Sequence, residues 1–157
     1  MKNPILISTL GVVLGVVFGM AFMMFLHLAT TFVYPLPDGV SFMDSGDENM
    51  ARLHEWFGTL PTTAWLLATA CHGLGCMSGA IVAMLISGRR SLVTPLIVGV
   101  VFTLCGIMNL SSLPHPSWFP FVDVPIYLVF AVVAGVLLKR NPAGEASEAP
   151  TPLASAE

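Results

Sequence analysis

Four long apolar runs, at about 5–33, 62–87, 92–112 and 122–138, dominate this sequence of 157 residues. A helix needs ~17–25 apolar residues to cross a bilayer, and each run reaches that length. The composition agrees, because 10% of the residues are charged against about 25% in soluble domains. The sequence therefore predicts an all-α membrane four-helix bundle, with one four-span domain over 1–140.

The first run is longer than the apolar core of a cleaved signal peptide, which spans only about 7–15 residues. It continues through bulky side chains such as Phe22 and Phe25. We therefore expect an uncleaved first membrane helix.

The one sizeable polar segment between the runs, 34–60, has a helical pattern of its own. Ser45 followed by Glu48 fits a capping box, and apolar residues then recur at helical spacing. This pattern predicts a short amphipathic helix at about 47–57 in the first extracytoplasmic loop, on the membrane surface or against the bundle. The recurring apolar residues are Met50, Leu53, Phe57 and Leu60.

The basic residues indicate the orientation of the spans. Lys2, Arg89-Arg90 and Lys139-Arg140 all fall on one side of a four-span chain, and Arg52 falls on the other. The positive-inside rule then places both termini in the cytoplasm. The segment 141–157, rich in Ala, Pro, Ser and Glu, is predicted to be a disordered cytoplasmic tail.

Glycines on two of the runs predict close helix contacts. They recur every four residues in the first run and again in the second, and such small-residue stripes let helix backbones approach. We expect these faces to associate with a second copy of the chain or with a larger membrane complex, the lipid bilayer being the other partner. The helix-packing residues predicted are Gly11, Gly15, Gly19, Gly75 and Gly79.

Two histidines lie inside apolar runs, where an ionisable side chain is costly and marks a candidate functional site. His27 and His72 lie about 9 Å and about 15 Å from the outer ends of their helices. Asn109 lies toward the same end of the third run. Hydrogen bonding between helices is the favoured interpretation of these three residues, and a ligand-binding cluster is the alternative hypothesis. Asp123, at the start of the fourth run, is expected to cap that helix.

The spacing of the histidines and acidic residues does not favour a haem or metal site. Bis-histidine haem ligation needs matching depths, and the two histidines differ by about 6 Å. His54-Glu55 is not part of an H-E-x-x-H motif, so no metal site and no cofactor are predicted. Six Lys and Arg residues are too few for a nucleic-acid surface. Without a nucleophile motif, no catalytic residue and no enzyme are predicted.

Four further features are 34–39 after the first helix, the face with Gly75, Gly79 and Ala80, Asn109, and His115-Pro116-Ser117-Trp118-Phe119 before the fourth helix. In these features the chain resembles a family of small, uncharacterised four-span bacterial membrane proteins. The resemblance implies a multi-pass protein of the bacterial inner membrane, with no activity or cofactor attached.

Two functions are therefore open. The first is a non-enzymatic scaffold or accessory subunit that associates through its glycine faces. The alternative is a carrier or sensor of a small ligand that uses the cluster of His27, His72 and Asn109.

Overall fold

The computed structural model describes residues 3–88 and 91–139, and all regular structure in these ranges is helical. Four of the helices are long and apolar enough to cross a membrane, which confirms the all-α class and the four membrane-length segments. The predictions for Lys2, Arg89-Arg90, Arg140 and the tail 141–157 lie outside the described residues. The helices are α1 Pro4–Thr30, α2 Asp47–Thr59, α3 Thr62–Ser87, α4 Val93–Ser112 and α5 Phe119–Leu137.

The start of α5 differs from the prediction in a way that matters for the site. The helix begins at Phe119, with Trp118 as its N-cap and Pro120 in its first turn, where proline is well tolerated. Asp123 is therefore one turn inside the helix, and its predicted role as a cap is wrong. Its side chain is 1% exposed.

The polar loop before α2 is fixed by one buried amide. Asn49 accepts a hydrogen bond from the Ser41 amide at 2.9 Å and donates to the carbonyls of Ser41 and Asp44 at 2.8 and 2.6 Å. The N-cap of α2 is Gly46, which has no side chain to bond the first turn. The predicted capping box of Ser45 with Glu48 is therefore wrong.

Helix α3 contacts each of the other three long helices, and its contact with α1 is made by glycines. A Cβ atom added to Gly15 would lie 2.5 Å from the carbonyl oxygen of Gly79, and one on Gly19 would lie 2.6 Å from that of Gly75. Such distances leave no room for a side chain. The two glycine stripes therefore face each other within one chain.

A second close approach places Tyr127 between α3 and α4. A Cβ atom on Gly106 of α4 would lie 2.6 Å from the Tyr127 ring. The ring is 2% exposed and belongs to the buried core between α3, α4 and α5, together with Cys76 and Phe102. Because position 106 is a glycine, the large ring of Tyr127 fits between α3 and α4.

Replacing Gly15 by alanine should lower the free energy of unfolding by about 1–3 kcal/mol, the usual cost of overpacking, because the new methyl group meets the α3 backbone. Gly58→Ala is the matched control, since a Cβ atom there meets no heavy atom within 4 Å. Unfolding in mixed detergent micelles measures both variants. Equal stability of the two would contradict the close α1–α3 contact.

Candidate functional site

A cavity of about 330 Å³ lies at the end of the long helices where α2 is found. Methionine and aromatic side chains are prominent in its wall, with Met20, Phe102 and Trp56 among them. The wall includes none of the described lysine, arginine, aspartate or glutamate side chains. Such a mostly apolar pocket with a few polar groups is the usual form of a small-molecule site.

His72 lines this wall from α3 and is paired with Asp123 of α5, which is not itself among the lining residues. Nδ1 of His72 lies 2.7 Å from Oδ1 of Asp123, and the two residues are 6% and 1% exposed. A buried carboxylate or imidazole is costly unless it is paired and hydrogen-bonded. The pair therefore fixes the two side chains to each other and orients the His72 ring.

Tyr127 completes the group from one turn further along α5. Its hydroxyl donates to Oδ2 of Asp123 at 3.3 Å, and its ring stacks on His72 with a centroid distance of 5.6 Å. Both carboxylate oxygens of Asp123 thus have partners. Residues four apart share one face of a helix, so Asp123 and Tyr127 approach His72 together.

His27 reaches the same place from α1. Its ring centroid lies 5.0 Å from that of His72, in an edge-to-face arrangement. The two rings therefore meet between α1 and α3, although the sequence predicted an offset of about 6 Å along the helices. The glycine contact sets their relative position.

Asn109 lines the cavity from the end of α4. It is exposed, and its side chain makes no hydrogen bond within the described residues. His27, His72 and Asn109, predicted as one cluster, thus border one cavity. Asp123, Tyr127 and His115 were not predicted as members of this cluster, although the four-residue spacing of Asp123 and Tyr127 places both on one helix face.

His115 belongs to the wall through the loop between α4 and α5. Its Nδ1 lies 2.6 Å from the carbonyl oxygen of Leu113, and since a carbonyl only accepts, Nδ1 carries the hydrogen. The ring stacks on Phe119 at 5.0 Å and lies 5.2 Å from Trp65. Burial lowers the pKa of His115 below its ordinary value.

An aromatic contact connects α2 to this part of the wall. The ring of Phe57 lies 5.7 Å from that of Trp65, and Trp65 in turn lies 5.1 Å from Phe119. The aromatic side chains of α2, α3 and α5 therefore form one continuous layer beside the polar pair.

Residues 3–88 and 91–139 hold no group of three His, Cys, Asp or Glu side chains arranged to hold a metal ion.

Comparison with protein-family models, with curated proteins and with solved structures found no match.

Substituting Asp123 by alanine should lower the free energy of unfolding by about 3–5 kcal/mol, the cost of breaking a buried pair. Tyr127→Phe removes only the longer hydrogen bond and should cost about 1 kcal/mol. Detergent-induced unfolding followed by circular dichroism measures both. A smaller loss in the alanine variant than in the phenylalanine variant would contradict the pairing.

The stability of the protein should fall when the pH drops below the unfolded pKa of His115, about 6.5. The folded state lowers this pKa, so the buried neutral His115 ring contributes to the free energy of unfolding in full above pH 6.5. That contribution is lost as the pH falls further, because the unfolded chain accepts a proton more readily than the folded protein. His115→Phe keeps a ring against Phe119 and removes the titration. The Tm of wild type minus that of the variant should therefore decrease from about pH 7.5 to about pH 5; an unchanged difference would contradict this.

Proposed function

We propose that this chain is an integral membrane protein that binds a small, uncharged ligand in the cavity at the α2 end, as a carrier or a sensor. The observation that carries the proposal is the buried His72–Asp123 pair, whose histidine lines a mostly apolar cavity. Ionisable side chains inside membrane helices usually mark functional sites, because their burial is costly.

The packing of the glycines favours this function over a scaffold. Association through the glycine faces needs them on the surface, whereas Gly15, Gly19, Gly75 and Gly79 pack against each other between α1 and α3. The described part of these stripes is thus occupied within the chain. A scaffold or accessory role stays a prediction that must use another surface.

We further propose a four-helix bundle in the bacterial inner membrane, with both termini in the cytoplasm and α2 on the outer surface. The basic residues support this orientation through the positive-inside rule. Asp123 and His72 lie about 21 Å and about 22 Å from the opposite ends of α5 and α3, at 1.5 Å per residue. In a hydrocarbon core of about 30 Å, the pair falls in the outer third.

The cavity also limits the kind of ligand. Its volume of about 330 Å³ lies near the lower end of the range for small-molecule sites, about 300–1,000 Å³. An anion would find no lysine or arginine in the wall, so an apolar molecule with one or two hydrogen-bonding groups fits best.

Filling the cavity should abolish ligand binding. Ala68 lines it, and Ala70, two residues further along α3, is exposed and lies outside it. Ala68→Leu and Ala70→Leu therefore add the same volume on the two sides of one helix. Protein purified in native membrane discs is extracted with organic solvent, and the extract is compared by mass spectrometry with that of empty discs.

A molecule enriched with wild type and with Ala70→Leu, but reduced at least about tenfold with Ala68→Leu, is the expected result; tenfold corresponds to about 1.4 kcal/mol of binding free energy. Equal extracts from the two folded variants would contradict the proposal.

A further inference from the structure

The second ring nitrogen of His72 is available to a ligand. Nδ1 is bonded to Asp123, and no described residue bonds Nε2, the nearby His27 included. Among the described residues, the one side-chain polar atom that is fully enclosed without a partner is Oγ1 of Thr69. Nε2 of His72 is therefore not sealed off, and the cavity borders its ring.

The charge of the pair determines whether Nε2 donates or accepts. With two protons on the pair, the net charge of His72 and Asp123 is zero; with one proton it is −1. An uncompensated charge at this depth costs several kcal/mol, and no lysine or arginine among the described residues lines the cavity. The hydroxyl of Tyr127 donates to Asp123 but brings no charge. The neutral state is therefore favoured.

In the neutral state, with Oδ2 of Asp123 accepting from the Tyr127 hydroxyl, Nε2 carries a hydrogen. The proton between the two residues is held either by Nδ1 of His72 or by the carboxyl of Asp123, and in both cases the second proton is on Nε2. The cavity thus receives an N–H donor from a ring whose orientation is fixed by Asp123 and by the stacked Tyr127.

We infer that the ligand of this cavity is an uncharged, flat carbonyl compound, of the class that includes quinones and aromatic ketones, whose oxygen accepts a hydrogen bond from Nε2 of His72. A carbonyl oxygen accepts without donating, so it satisfies this N–H and leaves no polar hydrogen in an apolar cavity. The flanking rings of Tyr127, Phe119 and Trp65 suit a flat molecule. This inference rests on the proposed ligand-binding function.

Three probes of one skeleton test the inference: 9-fluorenone with a carbonyl, fluorene with neither carbonyl nor hydroxyl, and 9-fluorenol with a hydroxyl. Each is titrated into protein in lipid nanodiscs against empty discs. Fluorenone should bind about five- to tenfold more tightly than fluorene, as expected for one hydrogen bond. Its infrared carbonyl band should move to lower frequency in the bound state.

Variants assign the donor. The double variant His72→Phe with Asp123→Asn keeps a ring and leaves no unpaired charge; it should bind fluorenone and fluorene equally and show no band shift. Asn109→Leu removes an amide donor that also lines the wall and should keep both the preference and the shift. If the double variant does not fold, equal binding of fluorenone and fluorene by wild type still overturns the inference.

Several results would overturn the inference. They are a preference for fluorenol over fluorenone, a band shift lost in Asn109→Leu, or equal binding of fluorenone and fluorene by wild type. If Ala68→Leu still weakens binding of all three probes in these cases, the proposed ligand-binding function stands and only the recognition of a carbonyl oxygen is wrong. If no probe binds above empty discs and Ala68→Leu changes nothing, both proposals fail.

Discussion

The contact between His72 and Asp123 is the interaction on which the account of this protein depends. A carboxyl group inside an apolar helix must find a partner, and Asp123 finds two, the imidazole of His72 and the hydroxyl of Tyr127. This requirement fixes the height of α5 against α3. It also explains why the polar part of the cavity lies at the level of His72 and not at another level of the helices.

The small residues let the helices come close enough for this arrangement. Gly15 and Gly79 bring the backbones of α1 and α3 into contact, which carries His27 to within 5.0 Å of the His72 ring. Gly106 makes room for Tyr127 in the same way. The glycines are thus positioning residues for the polar cluster, and the packing of the membrane helices and the geometry of the site have one physical origin.

Hydropathy alone predicted the number and kind of the long helices, because a bilayer permits few other structures for such runs. It also indicated His27, His72 and Asn109, which border one cavity. The role of Asp123 was missed for a physical reason: a carboxylate near a helix start serves equally well as a cap or as a buried partner. Only the position of Trp118 and Pro120 at the true start of α5 separates the two.

The sequence also did not show which helix each glycine stripe contacts. A small-residue stripe shows that a helix approaches closely, and it does not show whether the partner helix belongs to the same chain. The depths of the two histidines required the relative heights of α1 and α3, which depend on the α1–α3 contact. Both are tertiary facts that no local pattern contains.

The protonation of His72 in a bilayer tests the central claim most directly. Solid-state NMR of protein labelled with ¹⁵N in histidine and ¹³C in aspartate reports the state of each ring nitrogen and its distance to the Asp123 carboxyl, with His72→Gln assigning the signals. The account predicts a protonated Nε2, and an Nδ1 in short contact with the carboxyl carbon of Asp123. An unprotonated Nε2, or an Nδ1 without a nearby carboxyl group, would contradict it.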